Sequence, residues 1–185
     1  MDKYYLFKSS SRLDVLTIET MMDVHDGLYA IEVESDNELS FRHSDSIERK
    51  LLDYIHSQKE AKITVLCAPY ADQLMKDLLQ EAFLYFPNSL VFPTDVIMKQ
   101  IGFGNYSSFQ PLREYFSRVP YDLLETAGVY LRAGCNALKA CEMLYIHRNT
   151  FNFRLNNFIS LTALDIRDYH NALLLELYFL LSNRY

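Results

Sequence analysis

The stretch YIHRNTFNFRL, Tyr145 to Leu155, has the pattern of a tight turn followed by the start of a helix. A turn is expected at its first two residues, and His147 occupies the cap position of the helix that follows. Upstream, Asn136 can cap a shorter helix over residues 137–144. The stretch therefore predicts two short helices joined by a turn.

The second of these helices is predicted to run through Phe158 and to bury one side. The small residues Ala140 and Cys141 in the first helix suit a close crossing between the two. Together these features predict a helix-turn-helix arrangement. The inward side of the second helix is marked by residues that recur every three or four positions: Phe151, Leu155, Phe158 and Thr162.

The opposite side of the second helix is polar. Arginine and asparagine suit bidentate contact with guanine and adenine edges, and the N-terminal end of such a helix is the end that enters the major groove. Between Tyr145 and Ser160 there are two arginines and no acidic residue. The residues indicate DNA reading, while a purely structural helical hairpin fits the same pattern. The exposed polar positions are Arg148, Asn149, Thr150, Asn152 and Asn156.

A longer segment around this helix pair resembles a known family. YDLLETAGVYLRAGCNALKACEMLYIHRNTFNFRLNNFISLTALDI is similar to the C-terminal helix-turn-helix domain of the PucR/CdaR-type transcriptional regulators. The likeness lies in LLET with the later YL, in GCN, and in HRNT followed by an aromatic residue, Arg and Leu. It continues through LDIRDYHNALLLELYFLL and so covers Tyr121 to Tyr185.

The resemblance implies a bacterial DNA-binding transcriptional regulator, expected to bind double-stranded DNA as a homodimer on two half-sites. Arg148 and Asn149 are expected to contact bases, with the reading surface extended by Asn152 and Asn156. Capping or phosphate contact is expected from His147 and Thr150, and phosphate contact or bracing of the domain from Arg154. The predicted DNA-binding residues are thus His147, Arg148, Asn149, Thr150, Asn152, Arg154 and Asn156.

The segment departs from the family pattern at positions where the family usually carries basic residues. Asparagine stands at Asn152, Asn156 and Asn157, and Phe158 replaces a smaller aliphatic residue. Each missing phosphate contact weakens non-specific binding and flattens its salt dependence. An alternative therefore stays open: a non-enzymatic interaction or dimerisation protein whose helix-turn-helix has lost DNA binding.

The N-terminal part has the pattern of a small α/β unit. Residues 28–35 and 39–43 predict a β-hairpin, and the next helix is expected to be capped from Ser44 and Asp45. One βαβ crossover is predicted next, formed by the strand KITVLCA, a helix over residues 70–86 and the short strand SLVFP. The first 25 residues fit strand or helix equally. The predicted class is α+β, with an N-terminal α/β sensory or dimerisation module (1–106) before an all-α helix-turn-helix domain (107–185).

The charge is unevenly distributed along the chain, whose formal net charge is -6. Residues 1–120 hold 12 Lys/Arg and 18 Asp/Glu, whereas residues 121–185 hold six of each. Acidic surfaces repel phosphate, so nucleic-acid contact is expected from the C-terminal part. With no signal peptide and no apolar run of about 20 residues, the chain is expected to be cytoplasmic, without membrane association.

No pattern of a catalytic or metal site emerges, so no enzyme activity, cofactor or metal is expected. The five histidines are scattered, and VHDG (Val24 to Gly27) is expected to form a turn. Cys67, Cys135 and Cys141 are expected to be buried thiols. A small-molecule effector is expected on the N-terminal module. The final apolar helix, Ala172 to Leu181, is expected either to pack inside its domain or to form a dimer interface.

Overall fold

The computed structural model describes residues 2–21 and 31–182, and the chain divides into two compact units, Met1–Asn105 and Tyr106–Tyr185. The N-terminal unit combines a five-stranded sheet with helices, and the described part of the C-terminal unit contains helices without strands. The predicted α+β class is therefore confirmed. The turn predicted at Val24 to Gly27 lies outside the described residues, as do the first three residues of the strand predicted over 28–35.

The elements alternate between strand and helix in the N-terminal unit and are helical in the C-terminal unit. The N-terminal elements are β1 (Lys3–Ser9), α1 (Val15–Met21), β2 (Glu32–Ser35), β3 (Glu38–His43), α2 (Glu48–Ser57), β4 (Ile63–Ala68), α3 (Gln73–Tyr85), β5 (Ser89–Val91) and α4 (Pro93–Gly102). The C-terminal elements are α5 (Phe109–Ser117), α6 (Tyr121–Arg132), α7 (Ala137–Leu144), α8 (Arg148–Thr162) and α9 (Tyr169–Ser182).

The sheet has the order β2-β3-β1-β4-β5. The strands β2 and β3 pair antiparallel, which confirms the predicted hairpin over the described residues. The strands β4 and β5 pair parallel on either side of α3 in the sequence, which confirms the predicted βαβ crossover. The ambiguous N-terminus supplies β1, which lies between β3 and β4 and pairs antiparallel with both. Only this pairing distinguishes strand from helix there, because the local sequence fits either.

One face of the sheet packs around an aromatic cluster. Phe41 lies 5.6 Å from both Tyr5 and Phe7 between ring centroids, and all three side chains are buried. The helix α2 adds Leu51 and Tyr54 to the same core. Burial raises the pKa of the Tyr5 hydroxyl, so that this side chain stays neutral in the folded protein.

The expected cap of α2 is wrong. The helix begins at Glu48, after the buried Ile47, and no side chain caps it. Burial of Ile47 in the core sets the start of the helix, so Asp45 is not needed as a cap. The Glu48 carboxylate instead pairs with Lys3 Nζ at 3.1 Å and accepts from the Tyr5 hydroxyl at 3.3 Å.

The helix α4 was not predicted, although its start carries local signals. Pro93 lies at its first position, and the Asp95 carboxylate accepts from the Phe92 backbone N–H at 2.8 Å. Proline at the first turn and an acidic residue two positions later are typical of a helix N-terminus. The helix ends at Gly102, and Gly104 lies in the turn that follows.

In the C-terminal unit α9 packs against α5 and α6. Packing inside the domain was one of the two roles expected for this helix, and it is confirmed for the buried residues of α9. Homodimer formation stays a prediction. Phe116 of α5 meets Tyr178 of α9 at 4.5 Å between ring centroids. The buried side chains of α9 are Leu174, Leu175, Leu177, Tyr178 and Phe179.

Candidate nucleic-acid interface

The helices α7 and α8 form the predicted helix-turn-helix. The Asn136 side chain accepts from the Lys139 backbone N–H at 3.1 Å and so caps α7. Tyr145 ends α7 in the left-handed conformation, with φ 54° and ψ 38°, and its side chain is 96% exposed. The Ile146 N–H donates to the Cys141 carbonyl at 3.1 Å, which closes the turn. A left-handed backbone is unfavourable for a bulky residue, so the packing of the two helices holds this turn in place.

His147 caps α8 as predicted. Its Nδ1 accepts from the Asn149 backbone N–H at 3.1 Å. A ring that accepts at Nδ1 is neutral and carries its proton on Nε2. The exposed His147 ring can therefore cap the helix with one nitrogen and offer a donor to a ligand with the other.

The cap and the outward donor of His147 can be separated by substitution. We expect His147→Ala to lower the free energy of unfolding by about 1 kcal/mol, because the cap is lost. His147→Ser keeps an acceptor at the cap, so its stability should stay within about 0.5 kcal/mol of the parent. Urea denaturation followed by circular dichroism measures both. Equal instability of the two variants would contradict the capping role.

The inward side of α8 is the predicted stripe. Phe151, Leu155, Phe158 and Thr162 are its buried residues, and the helix continues four residues past the predicted end at Phe158. Phe151 lies 5.7 Å from Tyr130 of α6 between ring centroids. The Tyr115 hydroxyl of α5 donates to the Thr162 carbonyl at the far end of the helix. The side of α8 that faces away is thereby fixed as the surface open to a ligand.

The structure places six of the seven predicted DNA-binding residues on exposed positions of α8 or its cap. Asn149, Asn152 and Asn156 lie outside the buried stripe. Arg148 lies three residues before the stripe begins, so it is exposed at the open start of the helix rather than opposite the stripe. Thr150 is exposed in the same first turn. The stretch from residue 148 to residue 162 contains two arginines and no acidic residue. The six exposed residues are His147, Arg148, Asn149, Thr150, Asn152 and Asn156.

Arg154 lies apart from the other six. It is partly buried, and its Nε lies 3.4 Å from an Asp122 carboxylate oxygen on α6. An ion pair at a partly exposed position contributes about 0–1 kcal/mol, so its effect is mainly on orientation. Of the two roles expected for Arg154, phosphate contact and bracing, the contact with Asp122 favours bracing. Asp122 lies on a different helix, so the sequence around Arg154 does not reveal this contact.

The sequence did not single out Phe153, an exposed aromatic side chain of α8. Phe153 is 66% exposed, although Phe151 two residues earlier is 0% exposed. At about 3.6 residues per turn, Phe153 lies almost opposite the centre of the buried stripe. A helical projection of the stripe would have placed it among the outward residues, but its apolar character suggested no role there.

An open groove lies beside the outward face, between the starts of α7 and α8. Its lining includes Asn136, Leu138, Glu142, Tyr145 and Arg148. Glu142 is exposed and brings a negative charge to the wall that also carries Arg148. A phosphate in this groove would be attracted by the arginine and repelled by the carboxylate. The groove therefore carries charges of both signs.

The other candidates for chemistry are potential metal ligands and the cysteines. Within residues 2–21 and 31–182 no group of three or more His, Cys, Asp or Glu side chains could hold a metal ion. Cys67 and Cys141 are buried, but Cys135 is exposed, so its expected burial is wrong. Cys135 lies in the loop between α6 and α7 with φ 58°, where its side chain points away from the core. None of the described helices is long and apolar enough to cross a membrane.

The fold and the site together define a helix-turn-helix domain. Residues 123–181 match the family model of the PucR C-terminal helix-turn-helix domain. The C-terminal unit thus carries a PucR-type helix-turn-helix domain, which confirms the resemblance read from the sequence.

The chain is also similar to individual known proteins. The proline-responsive transcriptional activator PutR of Bacillus subtilis (strain 168) is 33% identical over 63 residues, which is 34% of this chain and 15% of that relative's length. The crystal structure of a regulator of polyketide synthase expression from Bifidobacterium adolescentis aligns with a TM-score of 0.50 and 15% identity, covering 100% of this chain and 82% of that one. At this identity the second likeness shows the fold alone.

Proposed function

We propose that the protein is a transcriptional regulator whose α8 enters the major groove of double-stranded DNA. The single observation that carries this proposal is the outward face of α8, which presents Arg148 and the asparagines at 149, 152 and 156 with no acidic residue along the helix. Arginine and asparagine suit guanine and adenine edges. The PucR-type domain and the transcriptional activator among the relatives support this choice.

Each proposed contact has a physical reason. Arg148 and Asn149 occupy the first turn of α8, the end that approaches base edges in helix-turn-helix complexes. Asn152 and Asn156 continue the same face toward the C-terminus. His147 offers its Nε2–H to a phosphate, and Thr150 lies in the same first turn. Arg154 holds α8 against α6 through Asp122 and so orients the reading face.

The N-terminal unit is proposed to supply effector sensing or dimerisation. Its sequence carries most of the acidic residues of the chain, so it is not suited to the DNA surface. A homodimer would place two copies of α8 on half-sites about one helical turn, roughly 34 Å, apart. The chain spans a small part of the length of PutR, and that relative's response to proline is a property of that protein.

DNA binding is tested with duplexes selected from random sequence by the full chain at low salt. We expect fluorescence anisotropy to show that Arg148→Ala and Asn149→Ala each weaken binding at least about fivefold, because a bidentate base contact contributes about 1–3 kcal/mol. Arg113→Ala is the matched control, since Arg113 is an exposed arginine on α5. It should change affinity less than threefold, the size of a general charge effect on the order of 0.5 kcal/mol.

The salt dependence separates base readers from phosphate contacts. A variant that has lost a phosphate contact shows a slope of log Kd against log salt flatter by about 0.9. Loss of a base contact relaxes sequence preference at one position instead. Should both variants bind the selected duplexes as tightly as the parent, the assignment of α8 as the reading helix would be wrong.

The second candidate function is an interaction protein that uses the helix-turn-helix as a scaffold. Glu142 favours it, because this acidic side chain interrupts the positive surface beside Arg148. Failure of the selection to enrich any duplex, together with stable self-association in analytical ultracentrifugation, would establish this alternative.

A further inference from the structure

An exposed phenylalanine lies among the asparagines of the α8 surface. Phe153 is 66% exposed, on the side of α8 opposite the buried stripe. It follows Asn149 by four residues and precedes Asn156 by three, so the three side chains share one face of the helix. Burial of a phenylalanine is strongly favourable, and this one finds no core to enter.

Phe153 does not belong to a continuous apolar patch along α8. The other large exposed apolar residue of α8, Leu161, lies eight positions further on, about 12 Å along the axis at 1.5 Å per residue. Between the two the exposed face carries Asn156 and Ser160. Phe153 is therefore a single apolar ring with asparagine side chains on either side. Such a ring suits a ligand whose surface alternates hydrogen-bonding groups with small apolar groups, and it does not suit a partner with a continuous apolar surface.

The major groove of DNA presents such a surface. Adenine offers the donor and acceptor that asparagine reads, and its partner thymine offers a C5-methyl group that apolar side chains contact. We propose that Phe153 reads a thymine C5-methyl group between the base pairs approached by Asn149 and Asn156. This deepens the proposed function and rests on it.

The spacing along α8 gives the position of the thymine. Phe153 lies about 6 Å from Asn149 and about 4.5 Å from Asn156 along the helix axis. One base-pair step is about 3.4 Å along the duplex axis, so these three residues span at most about three steps, whatever the tilt of α8 in the groove. The methyl group therefore lies inside the half-site, within two base pairs of each base contacted by an asparagine.

The experiment removes the methyl group without changing the base pairing. In the duplex selected by the parent protein, each thymine of one half-site is replaced in turn by deoxyuridine, and Kd is measured by anisotropy. We expect one position at which the parent binds about fourfold more weakly, the effect of losing one buried methyl group. At that position Phe153→Ala should bind the thymine and deoxyuridine duplexes equally.

Two variants control for general effects. Leu161→Ala removes an exposed apolar side chain from the same helix and should keep the fourfold ratio. Phe153→Leu keeps an apolar contact and should retain part of it. The ratio compares two duplexes with one protein, so it is independent of how much of a variant is folded.

Three outcomes would overturn the proposal. One is a parent protein that ignores deoxyuridine at every position, and another is a Phe153→Ala variant with an undiminished ratio. The third is unchanged DNA affinity of Phe153→Ala with loss of self-association, which assigns Phe153 to a protein contact. If the parent protein enriches no duplex at all, both the proposed function and the role of Phe153 are wrong. The first outcome, in contrast, contradicts only the role of Phe153, because the parent still binds DNA.

Discussion

Phe151→Ala is expected to lower the free energy of unfolding by about 3–5 kcal/mol, the usual cost of deleting a fully buried aromatic side chain. Phe151 is 0% exposed and packs against Tyr130 at 5.7 Å between ring centroids. Its removal leaves a cavity between α6 and α8, the two helices whose packing orients the outward face of α8. Urea denaturation of the full chain measures the loss, and hydrogen–deuterium exchange should place it in residues 106–182.

Phe153→Ala is the matched control, because it makes the same chemical change two residues away on the exposed side. Its stability should stay within about 0.5 kcal/mol of the parent, as for other surface substitutions. The two variants should also differ in function, since Phe153→Ala stays folded and loses only the thymine preference. Similar destabilisation by both would mean that Phe153, like Phe151, is packed against the rest of the domain.

Gly128→Val is expected to destabilise the protein by about 2–3 kcal/mol through overpacking. A Cβ at Gly128 of α6 would lie 2.9 Å from Cζ and 3.0 Å from Cε2 of Phe179 on α9. These distances are too short for carbon atoms, and the buried Phe179 ring has little room to move. Valine improves helix propensity over glycine by only a few tenths of a kcal/mol, so the clash decides the sign. Thermal and urea denaturation measure the change.

Two further variants check the cause of that loss. Gly102→Val makes the same change at the end of α4, where an added Cβ meets nothing within 4 Å, and should alter stability by less than about 0.5 kcal/mol. Phe179→Leu removes the ring atoms that the new side chain would strike. The double variant should therefore lose less stability than the two single variants together. Full additivity would contradict a direct clash.

Local signals in the sequence predicted much of the helix-turn-helix. Asn136 and His147 are caps whose acceptors reach backbone N–H groups two or three residues away. Such bonds depend on the neighbouring chain alone. The α8 stripe depends only on helical periodicity, so Phe151 and Phe158 could be placed inside from their spacing. These are the features that a short window of sequence contains.

The N-terminal unit was harder to predict because its elements depend on distant partners. Tyr5 lies opposite Phe41 on one side and Cys67 on the other, and these pairings make β1 a strand. The start of α2 depends on burial of Ile47 in that core rather than on a nearby cap. In both cases a competing local pattern existed, and tertiary packing outweighed it.

The sequence by itself determined that a capped helix pair ends in a polar, acid-free face, because capping and periodicity operate within one or two turns. Only the tertiary structure decided which distant residues support that face. It paired Arg154 with Asp122 of another helix. It also brought Gly128 against Phe179. Each of these depends on which residues distant in the chain meet in space, and the sequence records that only through the packing of the whole domain.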